Sequence, residues 1–273
     1  MKKELKLFLV MALGLLIIPV LGGCGNSKKI TRAEPSSWET IQKNKKVVIG
    51  LDDSFVPMGF REKNGQLAGY DIDLARAVFR QYGIKVDFQT IDWSMNVTEL
   101  RNQTIDLIWN GLTITDERQK ALTLSEPYLT NQQIIVVKKS SGITKLADLK
   151  NKSVGAQSGS SGAQDIDDHP QILKNRIKNH DPILYDSFNN AFIDLNASRI
   201  QGLLIDSVYA NYYIKHMSNS SDYRIIKSNM PSEQFAVGIK KGNTEVKQKI
   251  DQGINQLRAN GELKRINQKW FGK

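Results

Sequence analysis

From Lys46 onward, short apolar runs alternate with stretches whose apolar residues recur at helical spacing, and this alternation restricts the chain to an α/β fold. Val47-Val48-Ile49-Gly50-Leu51 reads as a buried strand. Asp71 to Tyr82 reads as a helix with Ile72, Ala75, Val78 and Phe79 on one face and Gly83 as its stop. Val86-Asp87-Phe88 is a second strand, Val97 to Asn102 a helical turn, and Ile105 to Trp109 a third strand. Strand, helix, strand, helix, strand implies a largely parallel sheet with helices on both faces, because each crossover must return over the sheet.

A second unit of the same kind follows. Ser153-Val154-Gly155-Ala156 is a strand; Phe188, Ala191, Phe192 and Leu195 mark a helix; Gly202 to Ile205 is a strand and Ser207 to His216 a helix. The chain then gives a strand at Phe235 to Ile239, a helix carrying Val246, Ile250, Ile254 and Leu257, closed by Gly261, and a short helix ending at Trp270-Phe271. No fixed-period repeat is visible. With 273 residues, the expected architecture is two α/β lobes with mainly parallel-type sheets, joined by two crossing segments, with a ligand cleft between them. Lobe 1 takes 46–133 plus 231–273 and lobe 2 takes 134–230, with crossings near Gln133–Val136 and Ile226–Met230.

The N-terminus is of another character. Lys2, Lys3 and Lys6 precede an apolar run from Leu7 to Leu21, and Gly22-Gly23-Cys24 follows. A basic start, a short apolar segment and small residues read as a secretory signal over 1–23. The rival reading, an uncleaved anchor, meets a run that is short for about 30 Å of hydrocarbon. Leu21-Gly22-Gly23-Cys24 resembles a bacterial lipobox, which implies cleavage before Cys24 and lipidation of its sulfur, palmitate included. Two acyl chains anchor stably where one is marginal. Residues 24–45 are then the lipidated cysteine and a polar tether, and the body sits on the extracytoplasmic face of the membrane.

Cys24 is the single cysteine, so neither an intrachain disulfide nor a cysteine metal cluster is available. The formal net charge is +10, but Lys and Arg are dispersed along the chain. That pattern describes a solvated surface beside an anionic membrane or cell wall, and no nucleic-acid partner is expected.

Three groups of motifs carry a resemblance. The first is Asp52-Asp53-Ser54-Phe55-Val56-Pro57-Met58-Gly59-Phe60 with Gly69-Tyr70-Asp71-Ile72-Asp73-Leu74. The second is Ile105-Asp106-Leu107, then 110–118 from Asn110 to Arg118, then Leu124-Ser125-Glu126-Pro127-Tyr128. The third is Asn260-Gly261-Glu262-Leu263, with Lys269-Trp270-Phe271-Gly272 at the end. In order and spacing these resemble the polar-amino-acid family of bacterial ABC-transporter substrate-binding lipoproteins, which have a periplasmic-binding-protein type II-like fold. The resemblance runs from about Val47 to the C-terminus. It implies a monomer that takes up a free amino acid and meets an ABC permease in the membrane, with no cofactor and no metal.

A zwitterion in a cleft brings two charges out of water, and each needs a fixed opposite charge. Arg118 suits the carboxylate, because a planar guanidinium grips both oxygens. The family pattern adds the Gly111 N–H and the Thr113 hydroxyl at the same carboxylate. Ser161, in the Gly/Ser segment 154–162 that follows a strand and opens a helix, completes the grip. That loop lacks the Gly-x-x-x-x-Gly-Lys-Ser/Thr pattern and is not a nucleotide loop.

Asp206, at the end of its strand, matches the acid that meets the ligand ammonium in relatives; a plain helix cap is the other reading. Phe55 and Trp93 fill positions of aromatic walls, and Trp93 reads equally as core. Asp52 matches an acid near the side-chain pocket in some relatives, with Asn110, Glu99 and Gln157 in the same region. This set favours a neutral polar or cationic side chain and leaves glutamine, cystine, arginine and related ligands open. Gln201 departs from the family, whose members usually carry Asp there.

An enzyme is the main rival, since the fold also hosts dehydratase-like and cell-wall-cleaving relatives. His169, His180 and His216 are scattered, and there is no His-Glu-x-x-His or nucleophile elbow. A cell-surface sensor is the third class.

Overall fold

The computed structural model describes residues 37–272. The expected signal, Cys24 and most of the expected tether therefore lie outside the described residues. In chain order the elements are α1 (Trp38–Asn44), β1 (Lys46–Leu51), β2 (Ser54–Phe55), β3 (Gly59–Arg61), β4 (Leu67–Ala68), α2 (Tyr70–Arg80) and β5 (Lys85–Thr90). They continue with α3 (Asn96–Asn102), β6 (Leu107–Thr113), α4 (Asp116–Ala121), β7 (Leu122–Leu124), β8 (Leu129–Lys138) and β9 (Val154–Gln157). The rest are α5 (Ser161–Asp168), β10 (Ile183–Tyr185), α6 (Phe188–Asn196), β11 (Gly202–Asp206), α7 (Ser207–Lys215), β12 (Tyr223–Lys240), α8 (Thr244–Ala259) and α9 (Glu262–Phe271).

The α/β class holds, and the strands assemble into one sheet ordered β10-β9-β11-β8-β12-β6-β1-β5, with β7 also on β12. Each wing is parallel: β5, β1 and β6 on one side, β11, β9 and β10 on the other. The centre is antiparallel, where β8 and β12 pair with each other and with the wings. The expected strand at 235–239 is the end of an 18-residue strand, β12, that serves both wings. It leaves register with β8 between Lys227 and Ser232. Periodicity gave no sign of β8's full length, because Asn131, Gln132 and Gln133 interrupt its apolar pattern. A separate three-stranded sheet, β2-β3-β4, stands beside β1 in the chain and follows from no apolar run.

The helix faces follow the spacing. In α2, Ile72, Ala75, Val78 and Phe79 are all buried, while Arg76 and Arg80 face water. Val246, Ile250, Ile254 and Leu257 of α8 are buried likewise. Burial of such a side chain stabilises the fold by roughly 1.5–3 kcal/mol. The start of α2 needs a glycine: Gly69 has φ +147, and a Cβ there would sit 2.2 Å from the Met58 carbonyl oxygen.

One sequence expectation changes here. Residues 38–44, read as the end of the tether, form α1. Its Ser37 cap accepts from the Thr40 N–H at 3.1 Å, and Trp38 and Ile41 enter the core, with Trp38 edge-on to Tyr82 at 4.9 Å. The apolar pair at i and i+3 was the available signal. Among the described residues, no helix is long and apolar enough to cross a membrane.

Candidate functional site

The strand ends at the middle of the sheet face one another across a narrow slot. Thr115 caps α4 by accepting from the Arg118 N–H at 3.2 Å, which sets Arg118 in the first turn, above the end of β6. Arg118 is 7% exposed, and its guanidinium donates to the Thr113 carbonyl at 2.9 Å and, across the slot, to the Gly159 carbonyl at 3.1 Å. Burial pulls its pKa down to about 10, against the opposing pull of Glu233, Asp206 and Glu117. Arg118 therefore remains a cation at neutral pH.

Ser160 caps α5, accepting from the Ala163 N–H at 3.1 Å, and Ser161 is its first residue. The Ser161 hydroxyl donates to the Thr113 hydroxyl at 3.0 Å, joining the two wings directly. A third contact between the wings runs from the Gln157 amide to the Asp52 carboxylate at 2.8 Å. The other oxygen of Asp52 accepts from the Ser54 N–H and hydroxyl at 2.9 and 2.6 Å.

Asp206 is not a side-chain cap: it precedes α7 but makes no such bond. Its carboxylate turns to β8 instead, accepting from Asn131 at 2.5 Å and Gln133 at 3.1 Å. The same two amides donate to Glu233 at 2.7 and 3.0 Å. The strand register explains this: Gln133 lies opposite Asp206, and Asn131 opposite Glu233. Residues two apart share a face, so both amides point to one side of β8. Burial raises the Asp206 pKa well above the usual carboxylate range, and the charge of Glu233 adds to it.

The slot is lined by Asp52, Phe55, Trp93, Asn110, Gly111, Arg118, Gln157, Ser160, Ser161 and Asp206. Every site residue expected from the sequence is in that set except Thr113, which reaches it through Ser161, and Glu99. Glu99 is a correction: it is outside the slot and bonds to Thr104 in its own turn, because α3 aims it away. Phe55 packs against Phe188 and Tyr209, at 5.9 and 5.6 Å. Trp93 is 6% exposed, so it is at once core and wall. Asn110 accepts from the Asp52 N–H at 3.1 Å, while its own Nδ2 is buried without a partner.

Gly111 is a second correction. Its N–H, expected to face a carboxylate in the slot, donates to Asp71 at 2.7 Å. Tyr128 donates to the same Asp71 oxygen at 2.9 Å. Full burial in this pocket raises the Asp71 pKa to about 7. Gly111 has φ +61, and a Cβ would lie 2.8 Å from Phe55, so backbone and packing both demand glycine. The departure at Gln201 is resolved locally: its side chain accepts from the Ser153 N–H and donates to the Ser198 carbonyl.

Asn131, Gln133 and Glu233 were missed as site residues. Polar side chains at alternate positions of a strand were the signal, but only the register brings them to Asp206. The slot's own cavity is about 10 Å³, room for about one water. Among the described residues there is no cluster of metal-ligating side chains.

Two wings of one sheet, closing a buried cation and a buried carboxyl around a slot at their junction, define a solute-binding protein. The chain belongs to the bacterial extracellular solute-binding proteins, family 3, whose model matches residues 47–273. It is 48% identical to an ABC uptake transporter substrate-binding protein from Streptococcus pneumoniae with bound histidine. That likeness covers 86% of this chain and 96% of the other, with a TM-score of 0.84. An arginine-binding extracellular protein of Bacillus subtilis (strain 168) is 26% identical over 267 residues, 98% of each chain. An ancestral amino-acid-binding protein, a precursor of cyclohexadienyl dehydratase, is 28% identical with a TM-score of 0.76, covering 85% of this chain and 98% of its own.

Proposed function

We propose that this protein captures a polar amino acid outside the cytoplasm and delivers it to an ABC importer. The observation that carries the reading is the slot's pair of ionisable groups: the buried Arg118 cation on one wing and the buried Asp206 carboxyl on the other, with no room between them for bulk water. A zwitterion answers that pattern, its carboxylate at Arg118, Thr113 and Ser161 and its ammonium at Asp206. Asp52, Gln157, Asn110, Phe55 and Trp93 then face the side chain and favour a neutral polar or cationic one.

A cavity for about one water is too small for an amino acid, so capture requires the wings to part and close again. The moving lobes are 46–133 plus 231–273 and 134–230, and the irregular stretch of β12 between Lys227 and Ser232 is the flexible crossing. Only the closed form makes both sets of contacts, so ligand shifts the population towards it. The importer reads that closed surface. A lipid on Cys24 keeps the monomer at the membrane, and the site binds without turnover.

The test is a thermal-shift screen of the chain from residue 37 against amino acids and cystine. At about 100 times its dissociation constant a ligand stabilises the fold by about 2.7 kcal/mol, a clear rise in Tm. Flat melting temperatures across all amino acids would refute the reading.

A further inference from the structure

The Asp206–Glu233 cluster holds more negative charge than the binding of an ammonium by one acid requires. Asn131 and Gln133 each direct one amide proton to Asp206 and one to Glu233, so the two carboxylates use all four donors. Asn131 alone spans 2.5 and 2.7 Å to the two, which brings the oxygens within about 5 Å of each other. Both residues are at least nine-tenths buried, at 5% and 6% exposure. The second Glu233 oxygen is buried without a hydrogen-bond partner, as is the side-chain amide oxygen of Gln133.

The charged groups around the pair do not balance it. Among the described residues, Arg118 of α4 is the cation that acts on Asp206, and it acts on Glu233 as well. From α5, Asp165 adds a further carboxyl; burial and the charge of Glu233 raise its pKa to about 6. Asp116 of α4 and Asp168 of α5 line the same pocket as Glu233 and add negative charge, while His169 acts on Asp165. The amides of Asn131 and Gln133 on β8 and the hydroxyl of Ser207 at the start of α7, which donates to Asn131 at 3.2 Å, are neutral. Two adjacent buried carboxylates with one shared cation do not both ionise readily.

We propose that Glu233 makes ligand capture proton-coupled: tied to Asp206 through the two shared amides, it keeps on Asp206 a proton that an arriving ammonium displaces. The inference rests on the amino-acid reading above and extends it. The Asp206 O–H bond breaks, its proton passes to solvent, and the ligand ammonium takes its place, so the charge of the cluster is unchanged. The sign follows. Asp206 binds a proton in the free protein and loses it in the complex, so affinity weakens as pH falls, by up to tenfold per unit where a whole proton is displaced.

The experiment is titration calorimetry of the wild type and Glu233→Gln with L-histidine and L-arginine, in buffers of different ionisation enthalpy, from pH 5 to pH 8. The dependence of the observed heat on buffer counts the protons released. Any contribution from a ligand imidazole is common to both proteins and cancels in the comparison. The wild type should release a proton fraction that grows as pH falls, and Glu233→Gln should release less and show a shallower pH dependence of affinity. Carboxyl-carbon NMR of the wild type should show Asp206 protonated when free and ionised with ligand, which decides the matter even if the variant does not fold. Binding heat with no proton release, or identical counts in both proteins, would overturn this inference and leave the amino-acid reading standing. No heat with either ligand, and none with any other amino acid, would remove both.

Discussion

Arg118→Ala tests the site most directly. The residue is 7% exposed and its guanidinium donates to two backbone carbonyls, one on each wing, while Asp206 and Glu233 supply opposing charge. Removing one member of a buried charge pair costs about 3–5 kcal/mol, because the other is left in a poor dielectric. Applied to a ligand carboxylate, that is roughly a 10²- to 10⁴-fold loss of affinity. The stranded Thr113 and Gly159 carbonyls are a separate cost of about 1–3 kcal/mol for each unsatisfied group, and it falls on stability rather than binding. Calorimetry of the ligand and urea unfolding of the free protein therefore separate the two effects. Arg118→Lys should fall between the extremes, since it keeps the charge and loses the two-pronged grip. Wild-type affinity in a folded Arg118→Ala protein would remove the guanidinium from the site.

Asp71 makes a pH prediction. Its folded pKa of about 7 lies above the ordinary carboxyl value of 3.8, so its carboxyl favours folding most at low pH, and that contribution is lost as pH rises towards 7. Between pH 5 and pH 8 the loss is about 2–3 kcal/mol. Asp71→Asn keeps an acceptor for Gly111 and Tyr128 and should abolish this part of the slope in urea unfolding; equal slopes in the two proteins would contradict the assignment. Trp38→Ala should lower stability by about 3–5 kcal/mol, read as a fall in the urea midpoint. An unchanged midpoint would return α1 to the tether.

Much of the fold was legible in residue spacing. The faces of α2, α6 and α8 and the strands β1, β9 and β11 could be read directly, because burial on one side leaves a periodic trace. Motif order alone names Arg118, Ser161 and Asp206 as one set, and all three line the slot. By contrast, α1 is short and β2, β3 and β4 have two or three residues each, too few for a period to show. Glu99 was misplaced because a helical turn's direction depends on its packing, and Gly111's N–H was misassigned because its acceptor, Asp71, lies 40 residues away.

The sequence by itself determined the class of fold, the apolar faces and which charged residues were candidates for a ligand, since these depend on local pattern and residue chemistry. Tertiary structure alone decided that β8 and β12 weld two parallel wings into one sheet. It also decided that Asp206 shares its amide donors with Glu233. Strand register sets such pairings, and register is a property of chains brought side by side, which no single segment encodes.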